Sequence, residues 1–248
     1  MRKTGKTKNS KTKNGFPFSP SVNLPKHIIL IPDGNRRWAA EHGLPIEVGH
    51  KRGMEVVIDL ARAAQDWGIK YLTIWAFSTE NWDRSPSEIR YLMKIFKELI
   101  KKFLKEFLEK GVRLVHLGRK DRIPKFLRDT LEDAAKKTAR NNNFVVNIAL
   151  DYGGRDEIIR AVNKIVTGRN NGRKITETEF AKHLDTNGQP PPDLIIRTSG
   201  EKRLSGIMSW QAAYAELYFE EVHLPDFTSE HLKKAILDYS SRKRRFGA

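Results

Sequence analysis

The chain has 248 residues, no cysteine and a formal net charge of +16. This length suits one α/β domain with a sizeable core, and the lack of cysteine excludes disulfides and Cys-based metal sites. No apolar run approaches the ~20 residues of a membrane span, and the N-terminus lacks the apolar segment of a secretory signal. We therefore expect a soluble, cytoplasmic protein. The positive charge indicates polyanionic partners: nucleic acid, an anionic membrane surface or phosphorylated metabolites.

The basic residues concentrate at the two ends of the chain. Residues 2–13 carry six lysines and arginines and no acid, and a second cluster spans residues 242–245. Such a run is typical of disorder, so we predict a basic tail over residues 1–22 and a folded domain over 23–248. Contact with lipid headgroups, contact with RNA and a simple gain in solubility all remain possible roles for this tail.

Apolar strand-like runs alternate with amphipathic segments along the rest of the chain. The predicted strands lie near 28–31, 71–77, 112–117, 144–150 and 193–196 and at the end of 210–222. The predicted helices lie near 51–66, 86–109, 124–140, 155–166, 176–184 and 228–243, with a helical turn near 38–42. This alternation predicts a single α/β domain with a central, mostly parallel six-stranded sheet flanked by helices.

The helix from Pro86 has the clearest local signals. Ser85 is a good N-cap, Pro86 suits the first position, and Glu88 is placed to close a capping box. At 1.5 Å per residue the helix would be ~36 Å long. Its apolar stripe is either ordinary core or one wall of a long apolar cavity.

The first strand leads into a group of polar residues suited to phosphate. Gly34 allows close backbone approach, and Arg36 and Arg37 match phosphate oxygens. Asp33 would repel a phosphate unless a cation such as Mg²⁺ lies between them, an arrangement common in proteins. A strand end with an Asx turn and solvated arginines is the alternative interpretation.

Similar groups recur where other predicted strands end. The four junctions are DGNRR (33–37), STENWDR (78–84), DYGGR (151–155) and RTSGEKRLS (197–205). Carboxyl ends of parallel strands share one edge of a sheet, where ligands bind. The four junctions offer more cationic groups than one phosphate ester needs, and two diphosphates would suit them.

The chain resembles the cis-prenyltransferases, specifically the undecaprenyl diphosphate synthases, over roughly residues 26–247. The residues that carry the resemblance are HIILIPDGNRRWA (27–39), GHKRG (49–53), AFSTENWDR (76–84), YGGR (152–155), RTSGEKRLS (197–205), WQAAYAELYF (210–219) and RRFG (244–247). The resemblance implies Mg²⁺-dependent, successive cis condensation of isopentenyl diphosphate onto an allylic diphosphate. The primer would be farnesyl or geranylgeranyl diphosphate, and the product a long-chain Z-polyprenyl diphosphate such as undecaprenyl diphosphate.

The resemblance also implies a homodimer, a hydrophobic product tunnel walled by the helix from Pro86, and peripheral contact with a membrane surface. Nucleic acid is not an expected partner. The C-terminal Arg245-Phe246-Gly247 resembles an element that in relatives reaches the partner's active site.

Site residues follow from the resemblance position by position. Asp33 matches the aspartate that holds Mg²⁺ and helps the diphosphate leave, and Glu216 matches the second acidic Mg²⁺ ligand. The substrate-binding positions are Gly34, Asn35, Arg36, Arg37, Trp38, His50, Ser78, Thr79, Glu80, Trp82, Arg84, Arg197, Arg203 and Ser205. Asn81 matches the position often assigned to proton removal. A neutral amide is a poor base, so we expect Asn81 to orient isopentenyl diphosphate while His50 or a diphosphate oxygen takes the proton.

Three departures from the family pattern leave the primer and the product length open. Ile46 stands where relatives usually carry arginine, residues 206–208 read Gly-Ile-Met instead of Asn-Phe-Leu, and Asp151 replaces a frequent asparagine. Two other functions compete. An accessory subunit would be expected to lose Asp33 or the clamp arginines, and a nucleic-acid binder would need a basic groove with stacking aromatics.

Overall fold

A computed structural model describes residues 17–168 and 174–245. The strands are β1 (His27–Ile31), β2 (Tyr71–Ser78), β3 (Val112–Leu117), β4 (Phe144–Tyr152), β5 (Leu194–Arg197) and β6 (Glu216–Phe219). The helices are α1 (Asn35–Glu41), α2 (Ile46–Asp66), α3 (Pro86–Glu109), α4 (Lys125–Thr138), α5 (Gly154–Thr167), α6 (Glu177–Ala181) and α7 (Ser229–Ser241). Residues Thr79–Asp83 and Leu224–Asp226 form 3₁₀ helices. The predicted alternation of strands and helices in one α/β domain is confirmed.

The sheet has the order β3-β4-β2-β1-β5-β6, and every strand pairing in the described residues is parallel. The chain passes from β1 to β2 on one side and returns to β5 on the other, so β1 lies at the topological switch point. Ligands of open α/β sheets bind outside the carboxyl ends of strands at such a point. The loops that follow β1, β2 and β5 therefore face one another there.

β1 is apolar throughout because both of its faces are covered. Ile28 and Leu30 pack with α2 and α7 on one face, while Ile29 and Ile31 pack in a separate cluster on the other. A parallel strand buried on both faces needs such an uninterrupted apolar run. The covered part of the strand ends at Ile31, so polar residues can follow from that point. Asp33 therefore lies just beyond the carboxyl end of β1.

α3 has the bounds that the sequence predicts, but one predicted contact at its start is wrong. The Oγ of Ser85 accepts a hydrogen bond from the Glu88 N–H at 3.3 Å, as an N-cap should. Glu88 does not close the capping box, because its carboxylate binds His50 and Arg84 instead. The buried His50 and the charged Arg84 bind this carboxylate more strongly than the exposed N–H of Ser85 would, because a hydrogen bond from a charged group is stronger than one from a neutral group.

Other bounds differ modestly from prediction. α2 begins at Ile46 rather than residue 51, residues 79–83 form a 3₁₀ helix rather than a loop, and β4 continues through Tyr152. Residues 1–16 of the predicted basic tail lie outside the described residues. Phe18 packs edge-on against Trp67 with ring centroids 5.3 Å apart. None of the helices in the described ranges is both long enough and apolar enough to cross a membrane.

We expect the free energy of unfolding to fall as the pH drops from 7.5 to 5.5, partly through His27. This fully buried ring donates from Nδ1 to the Pro190 carbonyl and accepts from the Thr73 hydroxyl. Burial lowers the pKa of His27, although the Pro190 bond and Asp193 oppose this. The unfolded chain gains a proton near pH 6.5 while the folded chain does not, and each such proton costs about 1.4 kcal/mol per pH unit.

Urea unfolding of the wild type and of His27→Gln at both pH values measures this contribution. The variant should lose less stability between pH 7.5 and 5.5 than the wild type does. Equal losses in the two proteins would show that His27 does not contribute.

Candidate active site

A cavity of about 740 Å³ begins at the carboxyl ends of β1, β2 and β5 and extends between the sheet and helices α2 and α3. Its mouth is polar. The polar mouth residues are Asp33, Asn35, Arg36, Arg37, His50, Ser78, Glu80, Asn81, Arg84, Arg197 and Ser205. The interior is apolar. The apolar lining includes Met54, Val57, Ile58, Leu92, Phe96, Leu99, Phe103, Phe107, Val146 and Ile148. The apolar stripe of α3 therefore serves as a cavity wall as well as core.

The backbone of Asp33 is held on both sides by Thr198, the residue after β5. The Thr198 hydroxyl accepts from the Asp33 N–H at 2.9 Å and donates to the Asp33 carbonyl at 2.7 Å. Leu224 N–H also donates to that carbonyl at 3.0 Å. The backbone that carries the carboxylate is thus fixed by the scaffold before any ligand arrives, which favours electrostatic stabilisation at the site. Sequence reasoning missed Thr198, because its partner lies 165 positions away.

The Asp33 carboxylate is surrounded by donors. Its Oδ2 accepts from Arg197 at 2.8 Å, and its Oδ1 accepts from the Gly34 N–H at 2.7 Å and from Arg37 at 3.2 Å. Burial alone would raise the pKa of Asp33, but Arg197, Gly34 and Arg37 together hold it below its usual range. The side chain is therefore ionised at neutral pH.

Arg197 is the most deeply buried cation at the mouth, only 5% exposed. Besides Asp33, its guanidinium donates to the Arg203 carbonyl at 2.6 Å and to Ser205 Oγ at 2.9 Å. Its Nε has no hydrogen-bond partner although it is buried. A buried guanidinium N–H without an acceptor is costly, and a phosphate oxygen would satisfy it.

A second buried carboxylate supports the other side of the mouth. Glu88 accepts from His50 Nε2 at 3.1 Å and from Arg84 at 3.1 Å, and Arg36 lies 4.0 Å away. Burial lowers the pKa of His50, with Glu88 opposing and Arg84 and Arg36 adding to the shift. His50 is therefore neutral at neutral pH. It presents one protonated nitrogen to Glu88 and keeps the other able to accept a proton.

Asn81 is oriented by its own turn. Its Oδ1 accepts the Ser78 N–H at 3.0 Å, and Ser78 in return caps the 3₁₀ helix that follows β2. Because the amide oxygen is occupied, this side chain is better suited to orienting a substrate than to receiving a proton.

Two glycines of the GHKRG segment bring α1 against α2. A Cβ at Gly49 would collide with the Asn35 carbonyl, and one at Gly53 would collide with the Asn35 side chain. This close contact buries the Asn35 Oδ1 beside the cavity without a partner. Sequence reasoning did not assign these glycines a role, although their four-residue spacing on one helix face is the signal that points to one.

Several predicted site residues do not line the cavity. Trp38 donates to Asp226 at 2.8 Å, Thr79 packs against Gly153, and Arg203 is 60% exposed and paired with Glu201. Each of these three residues lies next to a residue that lines the mouth, but does not line it itself. The remaining two, Trp82 and Glu216, are held by other partners.

Glu216 lies at the amino ends of the strands, whereas Asp33 lies beyond their carboxyl ends. Glu216 is the first residue of β6 and pairs with Leu194, the first residue of β5. Asp33 instead follows Ile31, which pairs with Arg197, the last residue of β5. The Glu216 carboxylate accepts from Arg242 at 2.8 Å. One chain therefore does not bring together the two acids predicted to bind metal. In the Arg245-Phe246-Gly247 element, the last two residues lie outside the described ranges.

The DYGGR junction contributes no residue to the cavity lining, and its acid has a structural role. Asp151 is fully buried and accepts two bonds from Arg122 and one from Trp82 Nε1 at 2.8 Å. Arg155 does not line the cavity. The acid in place of the frequent asparagine thus forms a bidentate ion pair that fixes Trp82 beneath the mouth.

The other two departures also lie away from the mouth. Ile46 is the first residue of α2, is 41% exposed and does not line the cavity. Ile207 and Met208 are fully buried in the cluster that covers Ile29 and Ile31. Ile207 and Met208 therefore belong to the core beneath β1, the strand that precedes Asp33.

Three comparisons agree on the family. The family described as "Putative undecaprenyl diphosphate synthase" matches residues 31–247. An isoprenyl transferase of Aquifex aeolicus is 44% identical, covering 92% of this chain and 97% of its own. An isoprenyl transferase of Bacillus cereus is 43% identical, covering 90% of this chain and 88% of its own. The chain therefore belongs to the undecaprenyl diphosphate synthase family of prenyltransferases.

Solved structures support the same assignment. A lavandulyl diphosphate synthase from Lavandula x intermedia, in complex with dimethylallyl diphosphate, superposes with a TM-score of 0.87 at 35% identity. The superposition covers 91% of this chain and 99% of that one. A probable undecaprenyl diphosphate synthase from Campylobacter jejuni gives 0.77 at 30% identity, covering 92% and 100%.

Proposed function

We propose that this prenyltransferase condenses isopentenyl diphosphate successively, with cis geometry, onto a farnesyl or geranylgeranyl diphosphate primer. The product would be a long-chain Z-polyprenyl diphosphate such as undecaprenyl diphosphate, a lipid carrier precursor for cell-wall or glycan synthesis. The supporting observation is the joining of a cationic mouth to an apolar cavity along α3. The mouth suits diphosphates, and the interior suits a growing hydrocarbon chain that must stay out of water.

The residues at the mouth suit the reaction that this requires. The allylic C–O bond breaks as the isopentenyl double bond attacks, and negative charge develops on the departing diphosphate. Arg36, Arg37 and Arg84 are cations beside that position, and the unpaired Nε of Arg197 adds a donor. Prearranged donors of this kind stabilise developing charge best where water is excluded.

Magnesium fits this site as a proposed cofactor. The described residues contain no group of three or more His, Asp or Glu able to hold a metal alone. Mg²⁺ is commonly held by one or two carboxylates together with substrate phosphates, and ionised Asp33 supplies such a carboxylate. When bound, the ion would neutralise charge on the diphosphate oxygens. Glu216 remains a proposed second ligand, although within one chain it lies at the other end of the strands from Asp33.

The last step removes a proton from the new carbon skeleton. Asn81 would orient the isopentenyl group, and the proton would pass to a diphosphate oxygen or to the unprotonated nitrogen of His50. If His50 is the acceptor, replacing it by glutamine should change the pH–rate profile. An unchanged profile would leave the diphosphate oxygen as the acceptor.

The direct test is to incubate the purified protein with Mg²⁺, isopentenyl diphosphate and one primer at a time. Dimethylallyl, geranyl, farnesyl and geranylgeranyl diphosphate are the four primers, and mass spectrometry resolves the product lengths. We expect elongation by several units with the farnesyl or geranylgeranyl primer, and none when EDTA replaces Mg²⁺. Condensation that stops after one unit would overturn the long-chain assignment.

We also propose that the protein works as a homodimer with peripheral membrane contact. Ile159, Val162 and Val166 leave an apolar stripe exposed on α5, at spacings that share one helix face. Such a stripe is typical of an interface. A solution mass of one chain by light scattering would exclude the dimer. The basic residues 2–13 would favour an anionic membrane surface into which the lipid product leaves.

A further inference from the structure

The far end of the cavity differs in chemistry from the rest of its wall. There the C-terminal turns of α2 and α3 approach the amino edge of the sheet, where Val112 and Phe144 line the cavity. Among these apolar groups are four polar lining residues, Arg62 and Gln65 of α2 and Glu106 and Lys110 at the end of α3.

Arg62 and Glu106 form a two-pronged ion pair that links the two helices. Nε donates to Oε1 at 2.9 Å and Nη2 donates to Oε2 at 2.8 Å. Asp59 accepts from the remaining Nη1 at 3.1 Å, and Lys110 lies 3.2 Å from Glu106. Parallel hydrogen bonds of this kind fix both side chains in one geometry.

The pair lies between the cavity and solvent. Both side chains line the cavity, yet that of Arg62 is 40% exposed and that of Glu106 27% exposed. The guanidinium also lies over the ring of Phe103, 5.3 Å from its centroid. One side of the pair therefore contacts the apolar lining, and the other side contacts water.

The pair stays charged under working conditions. The hydrogen bond from Arg62 lowers the pKa of Glu106 to about 2, with burial opposing and Lys110 adding to the shift. Protonation therefore does not open the pair near neutral pH. A ligand that reached this end of the cavity would therefore have to displace an intact ion pair.

We propose that the Arg62–Glu106 pair caps the cavity and limits the length of the prenyl product. This inference rests on the proposed elongation activity. An apolar chain end that reaches the cap meets two ionised groups, and it offers no hydrogen bond to replace those that it would displace. Further growth at the mouth then has no room to push the chain forward, so elongation stops.

The test compares product lengths from the wild type, Arg62→Ala, Glu106→Ala and the charge-swapped double variant Arg62→Glu/Glu106→Arg. Each single variant should release products longer by one or more isoprene units, because the chain end can pass between the helices. The swap should return the length only part of the way toward that of the wild type, because the new pair closes the same gap but is repelled by Asp59 and Lys110. Glu109→Ala is the matched control, since the Lys105–Glu109 pair on the same helix is exposed and does not line the cavity.

The outcomes separate this inference from the proposed function. A wild type that makes no elongated product refutes the proposed function, whatever the variants do. A wild type that elongates, with folded single variants of unchanged product length, refutes the cap. Thermal melting verifies folding, and Glu106→Gln, which keeps the side-chain shape, replaces any alanine variant that fails to fold. Lengthening in Glu109→Ala as well would also refute a specific role for the pair.

Discussion

Replacing Asp33 by alanine is expected to lower kcat for prenyl transfer by about 10²- to 10³-fold. The carboxylate is ionised, Thr198 clamps the backbone that carries it, and it lies where Mg²⁺ and diphosphate would meet. Removing it would take away the proposed metal ligand and leave Arg197 without the carboxylate that it binds at 2.8 Å. Steady-state kinetics with isopentenyl diphosphate and the preferred primer measure the change.

Two comparison variants sharpen this test. Asp33→Asn keeps the shape but loses the charge, so it should resemble the alanine variant if charge is what matters. Glu41→Gln removes an exposed carboxylate that pairs with His223 outside the cavity, and it should behave like the wild type. A kcat for Asp33→Ala within roughly tenfold of the wild type would contradict the assigned role.

Replacing Arg197 should produce the second-largest loss. Arg197→Lys keeps a charge but not the fork that reaches Asp33, Ser205 and the Arg203 carbonyl, so kcat/KM should fall about 10²-fold. We expect much of this fall in the KM for isopentenyl diphosphate. Arg128→Gln is the control and should leave kcat/KM unchanged, because Arg128 is a half-buried arginine on α4 that does not line the cavity.

The pH profile gives an independent readout for Arg197. In the wild type, Arg197 helps to hold the pKa of Asp33 below its usual range. Arg197→Gln removes that charge, so the pKa of Asp33 should rise and activity should be lost at a higher pH on acidification. An acid limb that stays in place would show that another group, such as Arg37, maintains the ionised state.

The elements that were predictable from sequence are those with local causes. α3 begins and ends where Ser85, Pro86 and its apolar stripe indicate, because capping and amphipathicity depend on residues a few positions apart. β1 and β2 are neighbours, which is the arrangement that would bring their phosphate-competent loops face to face. The placing of Asp33 and Arg197 at one cavity mouth followed from that sheet order together with the family motifs.

Contacts between distant segments were not predictable. The Glu88 carboxylate looked like part of a cap because Ser85 lies three residues before it, but His50, 38 positions earlier, lies within hydrogen-bonding distance. Asp151 looked like part of a phosphate loop, but Arg122 and Trp82 bury it as a structural carboxylate. Such choices depend on which cations reach the carboxylate in the fold, and spacing along the chain does not encode that.

The most direct test is a crystal structure with Mg²⁺ and a non-reactive allylic thiodiphosphate. We predict an Asp33 carboxylate oxygen about 2.1 Å from the ion, which also contacts the diphosphate, and a prenyl tail lying along α3 toward Arg62. A ligand bound with its tail outside the cavity, and an Asp33 carboxylate remote from both ion and diphosphate, would contradict the account.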